Sequence, residues 1–88
     1  MQLTHHARQR AAQRSVPLEV IEAVYAYGEC YSSQGCTGLR LSRKAIALAA
    51  DDLPPSKIER LRRFHGTYVI ASGAMIVTVA HAKQRRFN

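Results

Sequence analysis

Hydrophobic and polar positions change their spacing twice along this chain, from helical intervals to short alternating runs and then to two β-rich segments. From about Thr4 to about Arg14, a helix would place Leu3, Ala7 and Ala11 on one narrow stripe. Thr4 suits the N-cap of that helix, and Ser15 with Val16 suits the break after it. Pro17 fits the first turn of a second helix, where its missing N–H leaves nothing unpaired, and Glu19 and Glu22 favour the positive end of the dipole. Leu18, Ile21, Val24 and Tyr25 follow with helical spacing and Val20 widens the face. Gly28 then sits where a left-handed residue would close the helix.

After Glu29 the pattern shortens. "CYSS" and "GLRLS" read as a hairpin turning through Gln34 to Gly38, with Leu39 and Leu41 alternating about Arg40. "RKAIALAA" predicts a short helix stopped by "DDLPP", because consecutive prolines force an extended break. Ser56 and Glu59 have capping-box spacing ahead of a second short helix that turns Ile58 and Leu61 inward. "TYVIAS" and "MIVTVAH" are β-branched and aromatic, and Gly73 with Ala74 joins them as a tight hairpin. Strict alternation would give Met75, Val77, Val79 and His81 one face and Ile76, Thr78 and Ala80 the other. The predicted fold is α+β: two N-terminal helices on an antiparallel sheet of about four strands, with one or two short helices inserted before the C-terminal hairpin. It forms a single domain over 1–88 that ends in a basic tail, 83–88.

Composition narrows what such a domain would do. At 88 residues and 47% hydrophobic content there is material for one modest core and not two. Thirteen Lys and Arg against six Asp and Glu give a net charge of +7, a surface that attracts polyanions. Nucleic acid, RNA or DNA, is the leading partner; an acidic protein, an anionic membrane surface or plain solubility would also explain the charge. No run approaches the roughly 20 apolar residues of a membrane span, and the start lacks the apolar centre of a signal peptide, so a cytoplasmic chain without a membrane partner is expected. Cys30 and Cys36 match no CxxC or common zinc spacing and read as small hydrophobes, so neither a metal nor a cofactor is expected. Gly-rich phosphate loops and serine-nucleophile motifs are absent.

The stretch "LTHHARQRAAQR" carries two histidines and three arginines and no acid. On a helix, His6, Arg10 and Arg14 share a stripe bordering the buried face, which suits side chains whose stems pack while their polar ends converge on an anion. Imidazole titrating near neutrality can act as base or acid, and guanidinium binds phosphate in a fixed fork. His81, ending the last strand, would complete an acid/base pair. Arg43 and Lys44 would be further phosphate contacts, joined by Arg8 and by Lys83, Arg85 and Arg86 of the tail. Each residue also has an ordinary reading. His6 would cap the helix, Arg10 and Arg14 would pair with Glu19, Glu22 or Glu29, Thr78 would be a plain strand residue, and His65 beside Gly66 would be loop. Tyr25 and Tyr68 would be core or rim, or an exposed tyrosine would stack a base.

"THHARQRAAQRSVPLEVIEAVYAYGE", "GLRLSRKAI" and "YVIASGAMIVTVAHAKQRRF" resemble a bacterial family of domains of unknown function. Its members open with His-Ala and two spaced arginines, then continue through an amphipathic helix and a basic middle strand to a Val-Thr-Val hairpin. The likeness covers nearly the whole chain and is weakest from Leu48 to Arg63. It implies a small α+β domain similar to the barnase, colicin and RelE-like ribonucleases and toxins. His6, Arg10, Arg14 and Thr78 are the matching motif positions, and His81 adds to them as an acid/base candidate. The chain departs from the pattern where Ser15 replaces the usual glycine, Pro17 replaces a capping serine, and Ala80-His81 replace an aromatic residue. The expectation is a metal-independent RNA-cleaving or RNA-interacting protein; the alternative is a non-catalytic nucleic-acid- or protein-binding module of the same fold. RNA, an acidic antitoxin or inhibitor protein, and a second copy paired through an exposed strand are the partners this implies.

Overall fold

A computed structural model describes residues 1–33 and 35–81; the tail positions Lys83, Arg85 and Arg86 lie outside the described residues. The elements are β1 (Gln2–Leu3), α1 (His5–Gln13), α2 (Leu18–Tyr27), β2 (Glu29–Ser33), β3 (Cys36–Arg40), α3 (Arg43–Ala49), α4 (Pro55–Arg62), β4 (Thr67–Ser72) and β5 (Met75–His81). The five strands form one sheet in the order β1-β5-β4-β3-β2, and the fold is α+β. The sheet is mixed, and it has one strand more than expected because Leu3 belongs to β1 and not to a helical stripe. Gln2 and Leu3 pair in parallel with Met75 and Ile76. Two residues are too few for alternation to mark a strand, and the free edge of β5 supplies the backbone partners.

Thr4 joins β1 to α1 and fixes both. Its N–H donates to Ile76 O at 3.0 Å, and its hydroxyl accepts from the Ala7 N–H at 3.1 Å, the predicted N-cap. At the other end of α1, Val16 N–H donates to Ala11 O at 2.9 Å and Ser15 N–H to Ala12 O at 3.1 Å, a Schellman closure with Val16 buried beside Ala11. That closure needs a left-handed residue, and Ser15 fills it at φ 56°.

α2 starts at Leu18 with Pro17 as its N-cap, one residue later than predicted. It buries Val20, Ile21, Ala23 and Val24, while Leu18 stays 56% exposed and Tyr25 also faces outward. The apolar arc is wider than the buried one, and α2 packs against β3, β4 and α3 with the side centred on Val20 and Val24. Gly28 is extended at φ −59° and ψ 149°, not left-handed. Glycine is needed there for space, since an added Cβ would stand 2.3 Å from the Val24 carbonyl oxygen.

The β2–β3 hairpin turns earlier than predicted, and Gly38 lies inside β3, opposite Tyr31. The β4–β5 hairpin turns at Gly73 and Ala74 as expected, with Ser72 opposite Met75. Val69 pairs with Val79 and Ile70 with Thr78, but Ala71 pairs with Ile76, so Val77 is an extra residue in a β-bulge. The bulge resets the alternation. Ile76 and Val79 both enter the core with Thr67, Val69 and Ala71, which corrects the strict two-fold grouping of β5.

Ser42 caps α3 by accepting from the Ala45 N–H, and α4 begins at Pro55 behind Pro54, without the expected Ser56 cap. Ile58 and Leu61 are buried as predicted. α1 lies on β5, and α3 links α2 to α4. The buried residues of all four helices belong to one core cluster with Leu39, Val69, Ala71, Ile76 and Val79. The helices therefore occupy one face of the sheet. No helix among the described residues is long and apolar enough to cross a membrane.

Candidate nucleic-acid interface

α1 presents its cations to solvent. His5, His6, Arg8 and Arg14 are exposed and Arg10 is half-buried, above the buried Ala7 and Ala11. Among the described residues the ion pairs are Arg60 Nε to Glu19 Oε2 at 2.7 Å and Arg62 to Glu59 at 3.7 Å, both exposed. No carboxylate there pairs with Arg8, Arg10 or Arg14. The proposed partners on β5 do not join this stripe as a set. By register Thr78 sits with Ile70 on the face of the sheet opposite the helices, whereas Ala7 and Ala11 pack with Val79 on the helical side. His81 lies across from Thr67, and its Nδ1 shares a 3.0 Å hydrogen bond with the Thr67 hydroxyl. Thr67 is wholly buried, so this contact satisfies a polar group that would otherwise be costly to bury.

The face away from the helices carries its own constellation. Strand pairing sets Thr78, Ile70, Gly38 and Tyr31 in one row and Ala80, Tyr68, Arg40 and Glu29 in the next. None of these residues belongs to the core cluster, and no described helix covers them. Tyr31 lies down over Gly38: a Cβ added at Gly38 would be 2.3 Å from the ring's Cζ. The absence of a side chain at Gly38 is thus what lets an aromatic ring rest on the β3 backbone. Burial pushes the Tyr31 phenol above its ordinary pKa; nearby Tyr68 adds to the rise and Arg40 opposes it, so the three side chains share one field. Tyr31 and Arg40 are exposed and Tyr68 is half-buried. Two aromatic rings and a guanidinium on adjacent strands can stack flat groups and bind an anion beside them.

On the far side of the helical layer, α3 and α4 border a cleft of about 440 Å³ with Arg43, Arg62 and His65 at its rim and Ile46, Ala50 and Ile58 in its floor. Arg43 was anticipated as an anion contact, and Lys44 stands exposed next to it. His65, expected as plain loop, completes the rim.

No family model, curated protein or solved structure matches this chain. Function is therefore read from the sites themselves. Tyr31, Gly38 and Arg40 escaped the sequence reading because their significance arises only when β2, β3 and β4 pair. The available signal was the pairing of two glycine-containing short strands, in which a mid-strand glycine marks close approach of another group. Cys30 pairs with Leu39 on the helical face while Cys36 shares the Tyr31 face, so the two thiols point to opposite sides of one hairpin.

Proposed function

We propose that this chain is a single-stranded RNA-binding module that uses the uncovered face of its sheet. The observation that carries the reading is the placement of Tyr31 over Gly38 beside Tyr68 and Arg40, on a face that no described helix covers. Bases stack on the tyrosine rings, Arg40 meets a phosphate or stacks on a neighbouring base, and Ile70 and Thr78 line the path between strands. The charge of +7 draws the polyanion in without selecting a sequence. A cytoplasmic location, where RNA is abundant, is part of this proposal.

A second reading, metal-independent RNA cleavage at α1, is favoured by Arg10 and Arg14 having no carboxylate partner among the described residues. His6 would be its base. The split between α1 and Thr78, and the hydrogen bond that engages His81, favour binding over cleavage.

One set of assays separates the two. Fluorescein-labelled oligouridylate is titrated with protein in EDTA, anisotropy gives affinity, and a gel gives strand integrity. Tyr68→Ala is expected to weaken binding about tenfold, the scale of one lost base stack. Gly38→Ala is expected to weaken it as well, by displacing the Tyr31 ring, with little change in unfolding free energy because the tip of a tyrosine can swing away. Unchanged affinity in both variants overturns the sheet-face reading. Cleavage that His6→Ala abolishes establishes the second.

A further inference from the structure

We propose that the trough between α3 and α4 is a docking site for an acidic amphipathic helix of a partner protein. This inference does not depend on RNA binding. The 440 Å³ cleft and a neighbouring one of about 390 Å³ share Ala50, Ile58 and Arg62, so they are parts of one trough. Arg43, Ile46, Ala50 and Leu53 line it from the α3 side and Pro55, Ile58, Arg62 and His65 from the α4 side, each set at three- or four-residue spacing. α3 has seven residues and α4 eight, so the helical parts of these faces are roughly 10–12 Å long at 1.5 Å per residue, about two helical turns.

The outward side of α3 supports an occupant. After Arg43, Ala47 and Ala50 are exposed residues that line the trough, an apolar strip between Arg43 and Leu53. Ala47 and Ala50 are small enough to let another backbone approach, and the floor accepts apolar anchors at i, i+3, i+4 and i+7. The rim settles the charge of the partner. Arg43, Arg62 and His65 line it, and Glu59, the acid among the lining residues, sits 3.7 Å from Arg62. A carboxylate from outside would pair with Arg43 and Arg62 in the same way. A second copy of this chain, itself at +7, is electrostatically mismatched, and RNA finds an aliphatic floor with no ring on which to stack.

The test uses the whole chain and a fluorescein-labelled peptide of about twelve residues with leucines at helical spacing and glutamates elsewhere. Its control is an isomer of identical composition with the leucines moved off that spacing. The patterned peptide is expected to bind at least tenfold more tightly than the isomer, and Ala50→Glu, which sets a carboxylate in the floor, is expected to cut its affinity at least tenfold. Arg62→Ala provides a second, milder variant, expected to weaken binding several-fold, and matched thermal unfolding shows that both variants are folded. Equal affinity for the two peptides, no saturable binding, displacement of the patterned peptide by oligouridylate from the wild type, or an Ala50-dependent dimer in sedimentation would each overturn the proposal.

Discussion

Ser15 illustrates how one residue carries the geometry of a whole connection. The turn from α1 to α2 requires a left-handed backbone there, and a serine Cβ strains it by about 1–2 kcal/mol relative to a residue without one. Ser15→Gly relieves that strain and adds flexibility to the unfolded chain, so a net stabilisation of about 1 kcal/mol or less is expected, measured by urea unfolding. The break at Ser15 and Val16 was visible in the sequence, but a serine gives no sign of the left-handed backbone it adopts there. Gly28 shows the opposite case. It was assigned a left-handed cap, yet the structure uses it extended, for the space that Val24 O and Leu39 occupy. A glycine announces that something is unusual nearby, and the sequence alone does not say whether the cause is a dihedral angle or a neighbour.

At the level of elements, the helices and the β4–β5 hairpin were legible because each rests on local chemistry: the Thr4 cap, helical apolar spacing, paired prolines, and Gly73 in a tight turn. What was not legible came from distant partners. β1 exists only because β5 offers an edge, and the inward face of β5 changes phase at Val77 because β4 opposes it with one residue fewer. A further long-range tie joins α2 to the segment after α3, where the Tyr27 hydroxyl donates to Asp52 at 3.0 Å. That hydrogen bond, with Asp52's charge and some desolvation, raises the Tyr27 pKa. A raised pKa means the neutral phenol is favoured in the folded state. Its stabilisation is complete below the unfolded tyrosine value of about 10 and is lost as pH climbs through the higher folded value. Asp52→Ala is expected to bring Tyr27 down to an ordinary titration in phenolate absorbance, and the stability difference between variant and parent is expected to vanish at strongly alkaline pH.

For the molecule as a whole, the two-layer build separates two surfaces of different chemistry. The tyrosine and arginine grid lies on one side of the sheet, and the α3–α4 trough lies beyond the helices on the other. The sequence revealed the abundance of cations and the class of fold but not this division. Charge can be counted along a chain, whereas the side a residue occupies is fixed by pairing and packing. Two sites on opposite sides have no shared atoms to contest, so labelled oligouridylate and the patterned peptide are expected to occupy one protein together. Sedimentation of the three components checks this: a ternary species is expected, and mutual exclusion would overturn the trough as a separate peptide site.

The sheet order carries a final consequence for how copies of this chain would assemble. β2 is a five-residue outer strand with one side of its backbone unpaired by the sheet, while at the opposite margin β1 pairs with only Met75 and Ile76 of β5. Among the described residues, strand addition by another chain therefore finds its longest continuous template at β2, where five residues offer backbone groups along one side.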